Sequence, residues 1–158
     1  MTSIELKLGF QKIWDTEYSG WKEMPTSAED AAKKWADIFY NYYKSMGVPV
    51  PGIFNLNLTT GIKTFEASFL AMLKSNNVIN QLEIIITTLH FSIVAGSNLY
   101  GWVGVPPSSK LNLKQCFLQG NYEGKAVTVC DSLAKTIDIW VHTTYSVHSV
   151  SGAVASWN

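Results

Sequence analysis

The stretch AEDAAKKWADIFYNYYKSMGVPVPG, residues 28–52, decides the fold class of this chain. On an α-helix, which turns by about 100° per residue, its apolar residues share one side. That stripe consists of Ala28, Ala31, Trp35, Phe39, Tyr42 and Met46. The opposite side carries Lys33, Lys34, Asp37, Asn41 and Lys44. We therefore predict an amphipathic helix whose stripe is buried in a core, with Tyr40 and Tyr43 outside the stripe as candidates for contact with a partner.

Both ends of this helix carry recognisable signals. Thr26 and Glu29 fit a capping box, T-x-x-E, in which each side chain reaches the backbone N–H of the other residue. Gly47 provides a C-terminal stop, and Pro49 and Pro51 cannot continue a helix. These signals predict a helix that begins after Thr26 and ends before Gly47.

The rest of the chain has the pattern of further helices joined by loops. Helical spacing of apolar residues is present in residues 4–14, 60–74, 78–95, 111–119 and 125–141. Residues 15–24, 52–60 and 96–109 have the composition of connections. Residues 142–158 have strand-like composition and form a tail that we expect to be extended. We predict a mainly α fold, a single-domain helical bundle of about five or six helices that covers residues 1–158.

Two further patterns concern the arrangement of the helices. The segment 78–95 is rich in β-branched residues, as strands are, but its length favours a helix. The pieces SFLAMLKSNN and CFLQGNYEG each precede a longer helical segment, and the loops GVPVPG and GVPPSS are alike. If these parallels reflect an internal repeat, the bundle contains repeated helical hairpins.

Composition and charge argue against several classes of function. The chain has 158 residues, with 12 basic and 12 acidic side chains and a formal net charge of zero. Without a basic excess, nucleic-acid binding lacks its main driving force. A membrane span needs about 20 mostly apolar residues, whereas polar residues interrupt the segment 78–95, so we predict no membrane partner. The N-terminus has no basic region followed by an apolar one, so we predict no secretory signal.

The titratable and nucleophilic residues show no catalytic or metal-binding pattern. His142 and His148 are six positions apart, whereas two zinc-binding imidazoles on one helical face lie about four positions apart. His90 lies within an apolar helical segment, which is typical of a core histidine. Cys116 and Cys130 lack CxxC spacing and are predicted to be free buried thiols, with a single disulfide as the alternative. We predict no catalytic residue, no metal and no cofactor.

Aromatic and proline residues outside the core stripe are the candidate contact residues. A ring held by a proline-restricted backbone loses little entropy on binding and so makes a good anchor. The alternative is that these rings fold back over the edge of the core. The candidates for protein contact are Tyr40, Phe54, Tyr100, Trp102, Pro106, Pro107 and Trp157.

The stretch 28–52 resembles the small virion structural proteins of tailed bacteriophages. Many of those carry a helix of the type A-A-x-x-W-A-x-x-x-x-x-Y followed by a Pro/Gly loop, and this chain has AAKKWADIFYNYYKSMGVPVPG. The pieces SFLAML, GVPP and SLAKTIDIWVHTTYSV are similar to the short-helix, loop and closing-helix segments of that family. The resemblance runs in order over residues 4–150, with richer aromatic content and a more Ile-rich middle helix than the family pattern. It implies a helical structural protein of the particle, without catalytic residues.

The function that these patterns predict is structural. The protein would be made in the host cytoplasm, reside in the virion as a homo-oligomer or in multiple copies, and bind other virion proteins. Two alternatives belong to other classes. The high apolar content also suits a small-molecule or lipid-binding helical module, which needs a cavity inside the bundle. The second alternative is a small enzyme or an inhibitor of a host enzyme. An enzyme would require at least two of the histidines and cysteines to meet in one cleft.

Overall fold

The computed structural model describes the backbone of residues 2–46, 54–75 and 77–157, and their side chains except those of residues 2, 54–56 and 119–123. Within these residues it contains seven helices and a three-stranded antiparallel sheet, so the predicted mainly α class is confirmed. The helices are α1 (Thr2–Trp14), α2 (Thr16–Ser19), α3 (Ala28–Ser45), α4 (Phe54–Leu73), α5 (Val78–Gly96), α6 (Lys114–Glu123) and α7 (Ala126–Val141). The strands are β1 (Trp102–Val105), β2 (Tyr145–His148) and β3 (Val154–Ser156).

The N-terminus of α3 is capped one position later than predicted. Ser27 is the N-cap, and its Oγ accepts a hydrogen bond from Asp30 N at 3.0 Å. The Asp30 carboxylate accepts a hydrogen bond from Thr26 N at 3.0 Å, and this bond holds the pKa of Asp30 below its ordinary value. The predicted box of Thr26 with Glu29 is therefore wrong by one position, because Ser27 and Asp30 supply the bonds.

The buried face of α3 is rotated relative to the predicted stripe: Ala32 and Ala36 are buried, whereas Ala28 and Ala31 are half-buried. Phe39 and Tyr42 are buried as predicted, whereas Trp35 is half-buried. Tyr43, predicted to lie outside the stripe, is fully buried. The reason is that Tyr43 packs against His90 of α5, with the ring centroids 5.9 Å apart. The predicted stop signals, Gly47, Pro49 and Pro51, lie outside the described residues.

Aromatic rings link α1, α3 and α4 at the centre of the bundle. The ring centroids of Phe10 and Trp35 are 4.9 Å apart, and the rings of Trp35 and Phe69 stack at the same distance. The ring of Phe39 packs on that of Phe65, also at 4.9 Å. Each such pair contributes about 0.5–1.5 kcal/mol beyond the burial of area. The aromatic run of α3 is therefore mainly part of the core.

Helices α4 and α5 form a closely packed hairpin. A Cβ atom added to Gly61 would lie 2.9 Å from Ser92 Oγ, so a glycine suits the point where the helices approach. Helix α4 begins at Phe54, whereas the sequence predicted its start at Thr60. Leu58 explains the earlier start: it is fully buried, and packing outweighs the weak helix propensity of the neighbouring asparagines and threonines. Helices α6 and α7 also pack as neighbours, so the two helical pairs that an internal repeat implies are present, whereas the repeat itself stays a hypothesis.

The tail forms two strands and returns to the core. Strand β1 pairs antiparallel with β2, with Trp102 opposite His148, and β2 pairs antiparallel with β3. A positive φ of 68° at Gly152 lets the chain turn between β2 and β3. Beyond β3, Trp157 is fully buried, and its Nε1 donates a hydrogen bond to Ser146 Oγ at 3.0 Å. The tail is therefore extended, as predicted, and it is packed against the bundle.

Helix α5 is a central element of the core. Leu82, Ile86, Leu89 and Ile93 are buried, and the helix packs against α4 and β1. By length and composition alone, α5 is long and apolar enough to cross a membrane. A buried core helix passes the same test, so the absence of a membrane partner stays a prediction.

Candidate functional site

The side of α5 that faces solvent carries no charged residue. Ile84 is 64 % exposed and Phe91 is 42 % exposed. Their neighbours at helical spacing are small or polar and uncharged. We call this set the α5 face, and it consists of Asn80, Ile84, Thr88, Phe91, Ser92 and Ala95. Exposed apolar side chains that share one helix face without charged neighbours make it a candidate site of protein association.

A groove of about 490 Å³ runs along one edge of the α5 face, between α5 and residues 107–111. Glu83 is the single charged residue of α5, and its Oε1 accepts a hydrogen bond from Leu113 N at 2.7 Å. Phe91 stacks on Trp140 with ring centroids 6.4 Å apart, and Trp140 Nε1 donates to a backbone oxygen of the 107–111 segment at 2.8 Å. These contacts fix both walls of the groove.

A second groove, of about 230 Å³, lies between α4 and α5. Its α4 wall includes Thr60, Thr64 and Ser68, and none of the described residues that line it is charged. Ile84 and Thr88 line both grooves and so form the ridge between them. When two helices pack, the ridge of side chains on one helix fits into a groove of the other. A ridge flanked by two grooves therefore suits packing against another helix.

The predicted contact residues around β1 lie at different depths. Tyr100 is 79 % exposed. Trp102 is half-buried, with its ring edge-on to His148 and the centroids 5.2 Å apart. Pro106 is half-buried, and Pro107 is buried, which corrects the expectation of an exposed contact there. Among these four candidates, Tyr100 is the most accessible to a partner.

The three other predicted contact residues have three different outcomes. Tyr40 is half-buried against the core, with Lys44 Nζ 5.7 Å from its ring centroid. The side chain of Phe54 lies outside the described residues. Trp157 is fully buried, which corrects the expectation that its ring is exposed. The physical reason is that the β2–β3 hairpin carries Trp157 back to a hydrogen bond with Ser146.

A different side of α5, turned away from the α5 face, carries a buried polar cluster. His90 is fully buried, with Nδ1 3.0 Å from Tyr43 Oη and Nε2 2.6 Å from Thr144 Oγ1. Trp140 and Trp157 pack edge-on to the imidazole at centroid distances of 5.0 and 5.9 Å. Burial lowers the pKa of His90 to about 3 and raises the pKa of Tyr43, so both are neutral near pH 7. The cluster joins α3, α5 and the tail without formal charge.

The other histidines lie against separate groups, and both cysteines are free thiols. His142 Nδ1 lies 3.2 Å from Asp138 Oδ1, and His148 Nδ1 lies 3.1 Å from a serine hydroxyl of its own turn. Cys116 and Cys130 are free and buried, as predicted, and burial raises the pKa of the Cys130 thiol to about 12. In the described part of the chain, no three His, Cys, Asp or Glu side chains lie close enough together to hold a metal ion.

A third groove, of about 280 Å³, lies where α1, α3, α4, α5 and α6 meet. Every described residue that lines it is apolar. We call it the aromatic groove, and its principal walls are Trp14, Trp35, Phe69, Met72, Leu73 and Phe117. The ring of Trp14 lies 6.3 Å from that of Trp35 and 5.9 Å from that of Phe117. The groove suits an uncharged, flat or aliphatic occupant.

Two exposed features of the structure, Trp21 and the α5 face, were not predicted from the sequence. Trp21 is 71 % exposed, yet it lies in the segment 15–24 that the sequence marks only as a polar connection. The available signal was a tryptophan next to Gly20 in an otherwise polar stretch. The α5 face was missed because Ile84 and Phe91 belong to a segment that reads as a largely buried helix.

No protein-family model, curated protein or solved structure matches this chain. The function is therefore argued from the chain's own residues and from the resemblance noted for residues 28–52.

Proposed function

We propose that the protein is a non-enzymatic structural component of a phage virion that binds neighbouring virion proteins. The observation that carries the proposal is the α5 face, an exposed helical surface that presents Ile84 and Phe91 without any charged residue. The resemblance of residues 28–52 to small virion structural proteins supports the assignment to a particle. The proposal includes neither nucleic acid, membrane nor cofactor as a partner.

The α5 face would bind through shape and apolar burial. Covering Ile84 and Phe91 removes apolar surface from water, which stabilises a contact by about 25 cal/mol per Å². Because the face itself carries no charge, a neighbour can cover it without the desolvation penalty of a buried ion, whereas Glu83 and Lys110, which line the groove of about 490 Å³, require polar partners in the contact. The two grooves beside the ridge of Ile84 and Thr88 would receive the neighbour's side chains. A particle contains many copies of its components, so individually weak contacts suffice.

The loop before β1 and the β2–β3 hairpin would supply further contacts. Tyr100 is the most exposed aromatic side chain among the described residues. Val150 and Val154, on the hairpin, are also exposed. In this proposal the tail contributes to assembly through these two valines, because Trp157 is in the core.

A charge placed on the α5 face tests the proposal. Ile84→Asp should lower incorporation into particles at least tenfold, because an aspartate would have to be desolvated in the contact. Ile4→Asp is the matched control: Ile4 has similar exposure but lies on α1, so this variant should be incorporated like the wild type. Incorporation is measured by mass spectrometry of purified particles, and thermal unfolding checks that both variants are folded. Equal incorporation of both variants, or equal loss, would count against the α5 face.

A further inference from the structure

We infer that Trp21 of one copy inserts into the aromatic groove of a second copy, so that copies associate head to tail. This inference rests on the proposed function, because a weak contact between copies is effective only where many copies are assembled together. It concerns a surface that is separate from the α5 face. The two can therefore succeed or fail independently.

Trp21 is presented to solvent by an unusual backbone. Its φ is 69°, in the left-handed region that bulky side chains rarely adopt. It follows Gly20, which has a φ of 56°. Among the described residues, Trp21 and Tyr100 are the two non-glycine residues with positive φ, and they are also the two most exposed aromatic side chains. The chain thus holds both rings outward in a conformation that is disfavoured locally.

The turn that carries Trp21 is tied to the rest of the fold. Asp15 Oδ1 accepts hydrogen bonds from the backbone N–H groups of Glu17 and Tyr18 and so caps the short helix α2. On the other side of the turn, Lys34 Nζ donates a hydrogen bond to Glu23 O at 2.8 Å. A ring on a fixed turn loses little entropy when it binds, which favours a role as an anchor.

The aromatic groove matches this anchor in chemistry and size. Its described lining is entirely apolar, and its volume of about 280 Å³ is suited to one large side chain. Trp14, Trp35 and Phe117 offer ring faces and edges for the offset or edge-to-face contacts that aromatic rings prefer. Leu73, at the groove, is more than a third exposed, so the groove is open to solvent.

A second copy is the occupant because one chain carries both halves of the contact. Trp21 does not line its own groove, and its ring is exposed. An exposed apolar group and a complementary pocket elsewhere on the same molecule generate head-to-tail association, which closes as a ring or extends as a filament. One tryptophan buries about 150–250 Å², whereas a stable interface buries about 800 Å² per partner. The contact is therefore weak in solution and is strengthened by repetition.

Sedimentation velocity of the purified full chain at increasing concentration tests the inference. The wild type should show concentration-dependent association. Trp21→Ala removes the anchor and Leu73→Arg places a cation in the groove, so each variant should associate at least tenfold more weakly. Tyr18→Ala is the control, because Tyr18 is an exposed aromatic residue next to the same turn and should be dispensable. Circular dichroism confirms that each variant is folded.

A mixture of the two variants gives the sharpest test. Trp21→Ala keeps an intact groove and Leu73→Arg keeps an intact anchor, so one wild-type contact can form in each mixed pair. The mixture should form a 1:1 heterodimer and no larger species, although each variant alone stays monomeric. A mixture that remains monomeric would overturn the head-to-tail contact.

Other outcomes separate this inference from the proposed function. Association that persists in Trp21→Ala but disappears in Ile84→Asp would overturn the role of Trp21 and leave the α5 face as the contact. If the wild-type protein is monomeric at every concentration, the inference is wrong. That result leaves the proposed function standing, because incorporation into particles is measured separately. An apolar small molecule that co-purifies with the wild type in native mass spectrometry and is lost in Leu73→Arg would assign the groove to a ligand and overturn the inference.

Discussion

One side of helix α5 holds His90 in the core between Tyr43 and Thr144, whereas another side leaves Ile84 and Phe91 exposed. Both sides are apolar or uncharged, so hydrophobicity alone does not distinguish them. The inner side finds its partners within the chain, in α3, α4 and the tail. The outer side is open to solvent and flanked by grooves. The comparison suggests that the inner side determines folding stability and the outer side determines association.

The largest effect is expected where the tail closes over the inner side. Trp157→Ala should lower the free energy of unfolding by about 3–5 kcal/mol, as is usual for a large buried aromatic side chain. Urea-induced unfolding of the variant and the wild type measures the difference. Trp102→Ala is the control. Because Trp102 is only half-buried, this variant should lose clearly less free energy of unfolding. A loss below about 1 kcal/mol for Trp157→Ala would mean that the tail does not close the core.

The inner side of α5 itself comes next. Ile86 is fully buried, and Ile86→Ala should lower the free energy of unfolding by about 2–5 kcal/mol, because it removes buried atoms and leaves a cavity. The same urea titration measures this loss. If Ile86→Ala costs no more than a typical surface substitution, the orientation of α5 described here is wrong.

Acidification should weaken the inner side through His90. The pKa of a histidine in an unfolded chain is about 6.5, and burial lowers that of His90 to about 3. Between these values the unfolded chain binds a proton that the folded chain does not. Stability is therefore retained above about pH 6.5 and falls as the pH drops toward 3, by up to about 1.4 kcal/mol per pH unit.

Urea unfolding of the wild type and of His90→Gln at pH 7, 6 and 5 measures this dependence. The variant removes the titrating group, so its stability should be lower at pH 7 but should change less between pH 7 and 5. Identical pH slopes for the two proteins would show that His90 is not held neutral in the core.

The smallest effect on stability is expected on the outer side. Ile84→Ala should change the free energy of unfolding by less than about 0.5 kcal/mol, because Ile84 is largely exposed. It is the counterpart of Ile86→Ala, with the same substitution on the same helix. A loss as large as that of Ile86→Ala would remove the distinction between the two sides of α5.

Much of the helical fold could be predicted because its signals are local. The stripe of α3 and the lengths of α5 and α7 follow from residues close in sequence. The predictions failed where a distant partner decides the structure. Tyr43 is buried because it packs against His90 of α5, and Leu58 extends α4 by packing into the core. Residues 102–105 form β1 because their partner strand lies at Tyr145–His148, far along the chain.

The candidate surfaces were less predictable than the helices. Spacing alone gives the sides of a helix, but it does not say which apolar side stays uncovered, so Ile84 looked like Ile86. Trp157 and Tyr100 were equal candidates for contact in the sequence, yet the hairpin buries Trp157 and a left-handed backbone exposes Tyr100. Only the packing of the complete chain separates such pairs.

The most direct test of the proposed function is quantitative mass spectrometry of virus particles purified from the cells that produce this protein. The proposal expects the chain in every preparation, at many copies per particle and at a constant ratio to the other particle proteins. Its absence from purified particles, together with its presence in the soluble cell fraction, would contradict a structural role in the virion.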